Sequence, residues 1–461
     1  MNNFYNINGC ILDDTQIKAI EANSKNSLVV AGAGSGKTLT ILGKIKYLIE
    51  VKNIKPEDIL CISFTNESAK SLKEKLLKIN YDIEVLTFHK LGLKILNNDN
   101  ISIINDNYLD YIIDEYFKSY IKYNKKNKRI FKNILYTERN IDSLFETYEY
   151  QKIKMIISTF IKLAKSNNLD KYDIYRFYKS AWFNEKIVIK YILDIYIIYQ
   201  HDLESQGKID FDDMIIKSQQ EICSKHLSYK QIIIDEFQDT SKVRLDLIKE
   251  IIKYTNASLF VVGDDFQSIY RFSGCNLDIF INFRKYFTDT TYSYLKYTYR
   301  NSNQLIKVST NFIMKNPKQL KKQIVSNKNQ LRPIKIVFNK SLDYIINKIN
   351  DEDILILGRN NKDIQQINYP NKLTIHRSKG LEASYVILVN SDNIPSTIRN
   401  ERILRFVLKE HDYIPYEEER RLFYVALTRT KNDIYIMVNK KISPFVNELI
   451  HDYPDDIEII K

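Results

Sequence analysis

The residues with the clearest chemistry are Ala31-Gly32-Ala33-Gly34-Ser35-Gly36-Lys37-Thr38, which follow the apolar run Leu28-Val29-Val30 and precede ILGKIKYLI. A strand, a glycine-rich turn and a helix in that order form a phosphate-binding loop. Glycines let successive backbone N–H groups turn around an anion, and the next helix points its positive end at the same place. Lys37 is placed to reach β- and γ-phosphates, and the Thr38 hydroxyl to ligate Mg²⁺. A second cluster is Ile232-Ile233-Ile234-Asp235-Glu236, an apolar run delivering two adjacent carboxylates. Alternation along a strand sends them to opposite faces, so Asp235 reads as the metal-side residue and Glu236 as the base that polarises water. A third apolar run, Ser258 to Val262, leads into Gly263-Asp264-Asp265-Phe266-Gln267. There the amide of Gln267 is placed to sense the γ-phosphate or the attacking water. Tyr270 and Phe272 follow as stacking platforms for bases.

These groups need a scaffold, and the remaining sequence supplies one. Ile11 to Ile20 reads as a capped helix carrying Gln16, whose amide can both donate to and accept from an adenine edge. Two more strand-to-helix units run from Asp58 and from Ile83. They end in Phe64-Thr65-Asn66 and Thr87-Phe88-His89, where open parallel sheets bind ligands. Those six residues read as a strip for a single nucleic-acid strand, or else as core phenylalanines beside helix caps. From Leu91 to Gln206 the chain is rich in Tyr, Ile and Lys and poor in Gly and Pro, which predicts an inserted helical subdomain. Its basic run Lys122 to Arg129 reads as a backbone contact or as a solvated loop.

With 461 residues, length suggests about three domains. A formal charge of +12 favours a polyanionic partner, nucleic acid first, although a biased composition produces the same excess. No run is long and apolar enough for a membrane span, and MNNFYNINGCILDD has no leader pattern, so a cytoplasmic protein is expected. Cys10, Cys61, Cys223 and Cys275 are scattered and read as small hydrophobes.

The motifs AGAGSGKT, FTN, TFH, DEFQDT and GDDFQSIYRFSG, in this order, resemble those of superfamily 1 helicases of the UvrD/Rep type. The second half continues the likeness with TYR at Thr298-Tyr299-Arg300, TIHRSKGLE at Thr374 to Glu382, and EERRLFYVALTR at Glu418 to Arg429. The resemblance implies an α/β fold of two RecA-like parallel-sheet domains that close on ATP and Mg²⁺. It assigns residues 1–90 and 207–285 to the first, 91–206 to the helical insertion, and 286–461 to the second. By motif position it makes Arg300 and Arg429 the arginines facing the transferring phosphoryl group. Tyr299 would stack on adenine, Glu382 would bind the ribose, and His376 and Lys379 would face DNA phosphates. Leu39, Phe272 and Ser273 depart from residues common in the family. The form DDFQSIYRF is closer to the helicase IV branch.

Only 73 residues separate Arg300 from Thr374, so the second insertion of full-size members is expected to be minimal or absent. Two functions follow from the resemblance. One is an ATP-driven translocase or helicase moving 3′ to 5′ on single-stranded DNA. The other is a DNA-end-binding ATPase subunit of a repair or antiphage-defence complex, with little unwinding of its own. No nuclease motif follows Arg429, so cutting is expected from a partner protein.

Overall fold

Runs of aliphatic residues hidden on both faces are the signature of parallel strands covered by helices, and two such sheets form here. The computed structural model describes residues 3–97, 102–105, 107–122, 144–396, 401–408 and 416–461. The first sheet contains β1 Asn26–Val30, β2 Ile59–Ser63, β3 Glu84–Thr87, β4 Gln231–Ile234, β5 Ser258–Gly263 and β6 Thr290–Tyr294. Their order is β6-β1-β5-β4-β2-β3, with every neighbour parallel and Leu28 opposite both Val261 and Tyr292. The second contains β7 Ile334–Phe338, β8 Ile354–Gly358, β9 Lys372–Thr374, β10 Tyr385–Leu388, β11 Ile434–Val438 and β12 Ile457–Ile460. Its order is β9-β8-β10-β11-β7-β12, again all parallel. The two RecA-like lobes expected from the motifs are therefore present.

In the first lobe, α1 Asp14–Glu21, α2 Lys37–Glu50 and α3 Asn66–Leu77 cover the face of Val29, Cys61, Ile233 and Val262. The opposite face, with Leu28, Leu60, Ile232 and Val261, packs on α4 Phe88–Leu96. Each such aliphatic side chain, fully buried, contributes about 1.5–3 kcal/mol. The insertion is built from α5 Tyr108–Lys122, α6 Tyr148–Ser166, α7 Lys171–Ser180 and α8 Phe183–Ser205, around a core including Ile113, Phe117, Phe160 and Ile192. The basic run beginning at Lys122 lies outside the described residues from Tyr123 to Arg129.

Two boundaries drawn from sequence move. Leu91 and Ile95 on α4 sit in the core of the first sheet, so the insertion begins beyond α4 and not at 91. Strand β6 is the edge of the same sheet, so the first lobe runs past 285 to Tyr294. An edge strand reached after a long excursion leaves no local signal of which sheet it joins. Between Arg300 and Thr374 lie α9 Asn303–Ile313 and strands β7, β8 and β9, which pack in the second lobe. One segment leaves that lobe. Helix α10 Glu401–Leu408 inserts the fully buried Val407 into the core of the helical insertion, where Phe406 meets Phe177 at 5.7 Å between ring centroids.

Candidate nucleotide site and nucleic-acid face

Strand β1 ends at Val30, and the turn after it needs backbone that only glycine adopts cheaply: Gly34 has φ 70° and Gly36 φ 78°. A Cβ on Gly34 would lie 2.5 Å from Arg300 Cβ and 2.8 Å from Thr298 Oγ1. The loop is thus a cradle closed by the second half of the chain. Thr298 Oγ1 donates to Ala33 O at 2.7 Å, and Tyr299 N donates to Gly34 O at 2.9 Å. Ser35 Oγ turns inward to donate to Gly32 O at 2.9 Å, and Ile324 packs against Gly32.

Lys37 opens α2 and donates to Glu236 Oε1 at 2.7 Å. Burial works against a charged Glu236, but the cations of Lys37 and Lys379 outweigh it and hold this carboxyl well below the usual range. Burial pushes the neighbouring Asp235 the other way, with the Glu236 charge adding to it. The sequence expectation of two acids splayed by strand pleating is corrected. β4 stops at Ile234, and Glu236 sits in a turn with a left-handed φ of 52°. A non-glycine residue in this region carries strain of order 1–3 kcal/mol, a cost concentrated at functional sites. It aims the carboxylate at Lys37, while Asp235 Oδ1 accepts from the Glu236 backbone N–H at 2.9 Å.

Gln267 and Arg429, placed here from separate motifs, touch. Arg429 Nη2 donates to Gln267 Oε1 at 2.9 Å, and its Nη1 to Leu381 O at 3.1 Å. Arg429 is 1% exposed, and burial together with the like charge of Arg300 brings its pKa down to about 9, still charged at neutral pH. Arg300 packs its backbone on the loop, but its guanidinium donates to Glu382 Oε2 at 2.7 Å. Glu382 is thereby committed to Arg300, with Lys431 at 3.5 Å, and serves here as a partner of that arginine; binding ribose requires it to exchange partners. Gln16 is fully buried. Its Oε1 accepts from Asp13 N at 3.0 Å in a capping box and its Nε2 donates to Ser35 O at 3.3 Å, so it braces the loop. Beside it lies a groove of about 340 Å³ lined by Asp13, Asp14, Thr298, Tyr299 and Lys328. Tyr299 is exposed on its wall and donates its hydroxyl to Asp13 Oδ2 at 2.8 Å.

Three residues essential to this geometry carried no assignment from sequence. Gln238 donates to Glu236 Oε2 at 2.6 Å and accepts from Asp264 N at 2.9 Å, linking two motifs. Lys322 reaches Ala31 O at 2.9 Å and Asp265 at 2.6 Å, and also pairs with Asp264. Arg421 Nε donates to Ser268 O at 2.7 Å across the lobes. Gln238 lay within DEFQDT, where its position in the motif was the available signal. Lys322 is one of several lysines in KQLKKQ and had none.

On the expected nucleic-acid face, the residues divide. Phe272 is 53% exposed, with the His376 ring 5.5 Å away and Tyr270 6.1 Å away. Tyr270 is tied to the second lobe through its hydroxyl, which donates to His376 O at 3.0 Å. Burial, then Arg359 and Lys379, lowers His376 to about 4, so it is neutral. Thr65 and Asn66 are exposed at the end of β2, and Phe64 is half-buried under the Arg244 guanidinium, 4.5 Å from its ring centroid. His89 is half-buried with its ring 4.7 Å from that of Phe211. Two residues of the strip, Phe88 and Thr87, take the alternative reading of core and cap in place of strand contact, and the expectation for Lys379 is corrected. Phe88 is 3% exposed and belongs to the sheet core. Thr87 is buried as the cap of α4, accepting from Lys90 N at 3.3 Å. Lys379 is buried, paired with Asp239 and donating to Gln267 O at 2.9 Å. Burial works against the charge of Lys379, but Asp239 and Glu236 outweigh it and raise its pKa, so it bonds the lobes together in place of a phosphate.

No helix among the described residues is long and apolar enough to cross a membrane, and no cluster of three or more His, Cys, Asp or Glu residues there forms a metal cage. The model of the UvrD/REP helicase N-terminal domain matches residues 12–288, and that of the UvrD-like helicase C-terminal domain residues 360–441. The chain is 34% identical to a probable DNA helicase II homolog of Mycoplasma capricolum, over 76% of this chain and 49% of that protein. It is 28% identical to DNA helicase IV of Escherichia coli, over 97% of this chain and 71% of that one. With the ATP-dependent DNA helicase Rep of Buchnera aphidicola (subsp. Schizaphis graminum) the figures are 30%, 77% and 52%. The chain thus spans about half the length of two of these relatives. Both domain models fall on the lobes that meet at Gly34, and the chain belongs to the UvrD/REP helicase family.

Proposed function

We propose that this protein is an ATP-dependent DNA motor that moves 3′ to 5′ along single-stranded DNA. The observation that carries the reading is the seating of Thr298, Tyr299 and Arg300 from the second lobe directly on the glycine-rich loop of the first. A nucleotide bound at Lys37 is then sensed by both lobes at once. The relatives named as ATP-dependent helicases support the same reading.

The residues fit MgATP. The glycine loop has no room for a Cβ at Gly34, where Arg300 and Thr298 close on it, and its two left-handed glycines turn the backbone as an anion cradle requires. The Thr38 hydroxyl and the Asp235 carboxylate are hard oxygen donors, suited to an ion that completes its shell with water and phosphate oxygens. Thr38 and Asp235 would hold Mg²⁺, which would supply charge neutralisation to the transferring phosphoryl group. Lys37 exchanges Glu236 for the β- and γ-phosphates. The released Glu236, anchored by Gln238 and held ionised, orients and deprotonates the attacking water. Arg300 swings from Glu382, and Arg429 acts beside Gln267, to stabilise charge in the transition state. The Gln267 loop also carries Tyr270 and Phe272, so loss of the γ-phosphate moves the stacking face. Phe272, His376, Thr65 and Asn66 are the residues placed to meet the strand.

The absence of a second helical insertion between Arg300 and Thr374 favours weak duplex unwinding without a partner, and keeps a DNA-end-gripping ATPase subunit as the second reading. ATP hydrolysis with and without oligo(dT), followed by displacement of streptavidin from either end of a biotinylated strand, tests both. Stimulated hydrolysis with clearance of the 5′ end supports the motor. Stimulated hydrolysis without clearance supports the subunit, and no stimulation overturns both.

A further inference from the structure

Helix α7 of the insertion has two faces, and only one of them serves the fold. Ile174 is fully buried, and Phe177 lies against Phe406. The other face repeats at i, i+3, i+4 and i+7 with Tyr172, Tyr175, Arg176 and Lys179, a single stripe along the helix. Tyr172 is 65% and Tyr175 44% exposed, and Trp182 just past the helix end is 75% exposed. Large aromatic rings in water forgo about 25 cal/mol per Å² of apolar surface that packing would recover, so a stripe of them marks a contact surface. Cations sit on these rings: Lys179 Nζ is 4.9 Å from the Tyr175 centroid, and Lys171 Nζ 5.4 Å from that of Tyr172. Tyr178 stacks with Tyr175 at 23° between planes. Within the helix only Asp173 opposes Lys171, Arg176 and Lys179, and it is paired with Arg176.

We infer that this stripe is a second binding surface for single-stranded nucleic acid, outside the cleft between the lobes. Exposed ring faces stack on bases of any sequence, and cations beside them neutralise the backbone, which is how strand binding without sequence preference is built. A net charge of +12 on the chain complements the same ligand. The surface is also within reach of the cleft. Ser166, at the end of α6, is in close contact with Gly274, two residues from Phe272. Lys171 follows Ser166 by five residues, at most about 18 Å of extended chain. A strand leaving Phe272 therefore meets α7 within a few nucleotides, and the insertion retains DNA while the lobes cycle. The choice of ligand rests on the motor reading; the location rests on α7 alone.

Trp182 is the sole tryptophan of the chain, so its emission reports on this surface in the intact protein. Titration with oligo(dT) is expected to quench it saturably, whereas dextran sulfate, a polyanion without bases, leaves it unchanged. Tyr172→Ser with Tyr175→Ser is expected to weaken oligo(dT) binding about tenfold or more for each lost stack, with unchanged ATP turnover at saturating DNA. Lys171, Arg176 and Lys179 changed together to Ala should reduce the slope of log affinity against log salt by about 2. Emission unchanged at oligo(dT) concentrations that saturate ATPase stimulation overturns the inference while leaving the motor reading intact. So does quenching by duplex alone, or wild-type affinity in the double tyrosine variant. Those results reassign the stripe to a duplex or to a protein partner.

Discussion

Arg429 of the second lobe donates to Gln267 of the first at 2.9 Å, and the same Gln267 donates to Asp264 Oδ2 at 2.6 Å. One amide thus joins the end of a strand in one lobe to the last motif of the other. Arg429→Lys retains charge but loses the fork that reaches Gln267, Leu381 and Val425 together. Turnover is expected to fall about 10³-fold or more. Gln267→Ala combined with Arg429→Lys should cost much less than the sum of the two. Steady-state ATP hydrolysis of the four proteins checks this, and additive losses would show that the contact is incidental.

Lys37 and Glu236 pair directly, and each is assigned a different task, so they should fail differently. Lys37→Ala should abolish hydrolysis and weaken nucleotide binding. Glu236→Gln should bind ATP as well as the parent, or better, with turnover down by several orders of magnitude. Fluorescent nucleotide titration beside hydrolysis separates the two, and full turnover in Glu236→Gln removes it as the base.

Phe88 and Phe272, both candidates for stacking from sequence, should separate cleanly. Phe88→Ala empties a core position and should cost about 3–5 kcal/mol of stability, seen as a lower Tm. Phe272→Ala should leave Tm unchanged and weaken single-strand binding by about 1–3 kcal/mol.

His376 gives a pH signature. Its folded pKa of about 4 lies below the ordinary 6.5, so between those values the unfolded chain binds more protons than the folded one. Stability from this group is complete above pH 6.5 and declines as pH falls toward 4. The Tm difference between the parent and His376→Gln should therefore shrink on acidification through that window. A difference constant from pH 7 to 4 would mean the ring is not desolvated.

Val407 tests the tie between the second lobe and the insertion. Val407→Asp places an unpaired charge in an apolar core and should release α10. Amides of Tyr148–Ser166 should then exchange faster, while those of Asn26–Val30 keep their protection.

Much of this architecture is local and was legible in residue order. The loop at Gly32 to Thr38, the apolar runs that became β1, β2, β4 and β5, and the helical character of the insertion depend on backbone preference and periodicity over a few residues.

What only the tertiary structure decided is which side of a surface each side chain occupies and whom it meets. Phe64 and Phe88 stand in like positions at strand ends, yet Phe88 packs into the core of the first sheet with Leu91 and Ile215, while Phe64 stays half-buried under the Arg244 guanidinium. Lys379 and Lys322 look like any other lysines in sequence, and become buried ties because carboxylates from the other lobe, Asp239, Asp264 and Asp265, close over them. Glu236 faces Lys37 through a left-handed turn that no strand pattern encodes. Burial and pairing are long-range, set when two sheets separated in sequence come together. Sequence therefore determined which chemical groups this protein has, and the closure of the lobes determined which are spent on the fold and which remain for ligands.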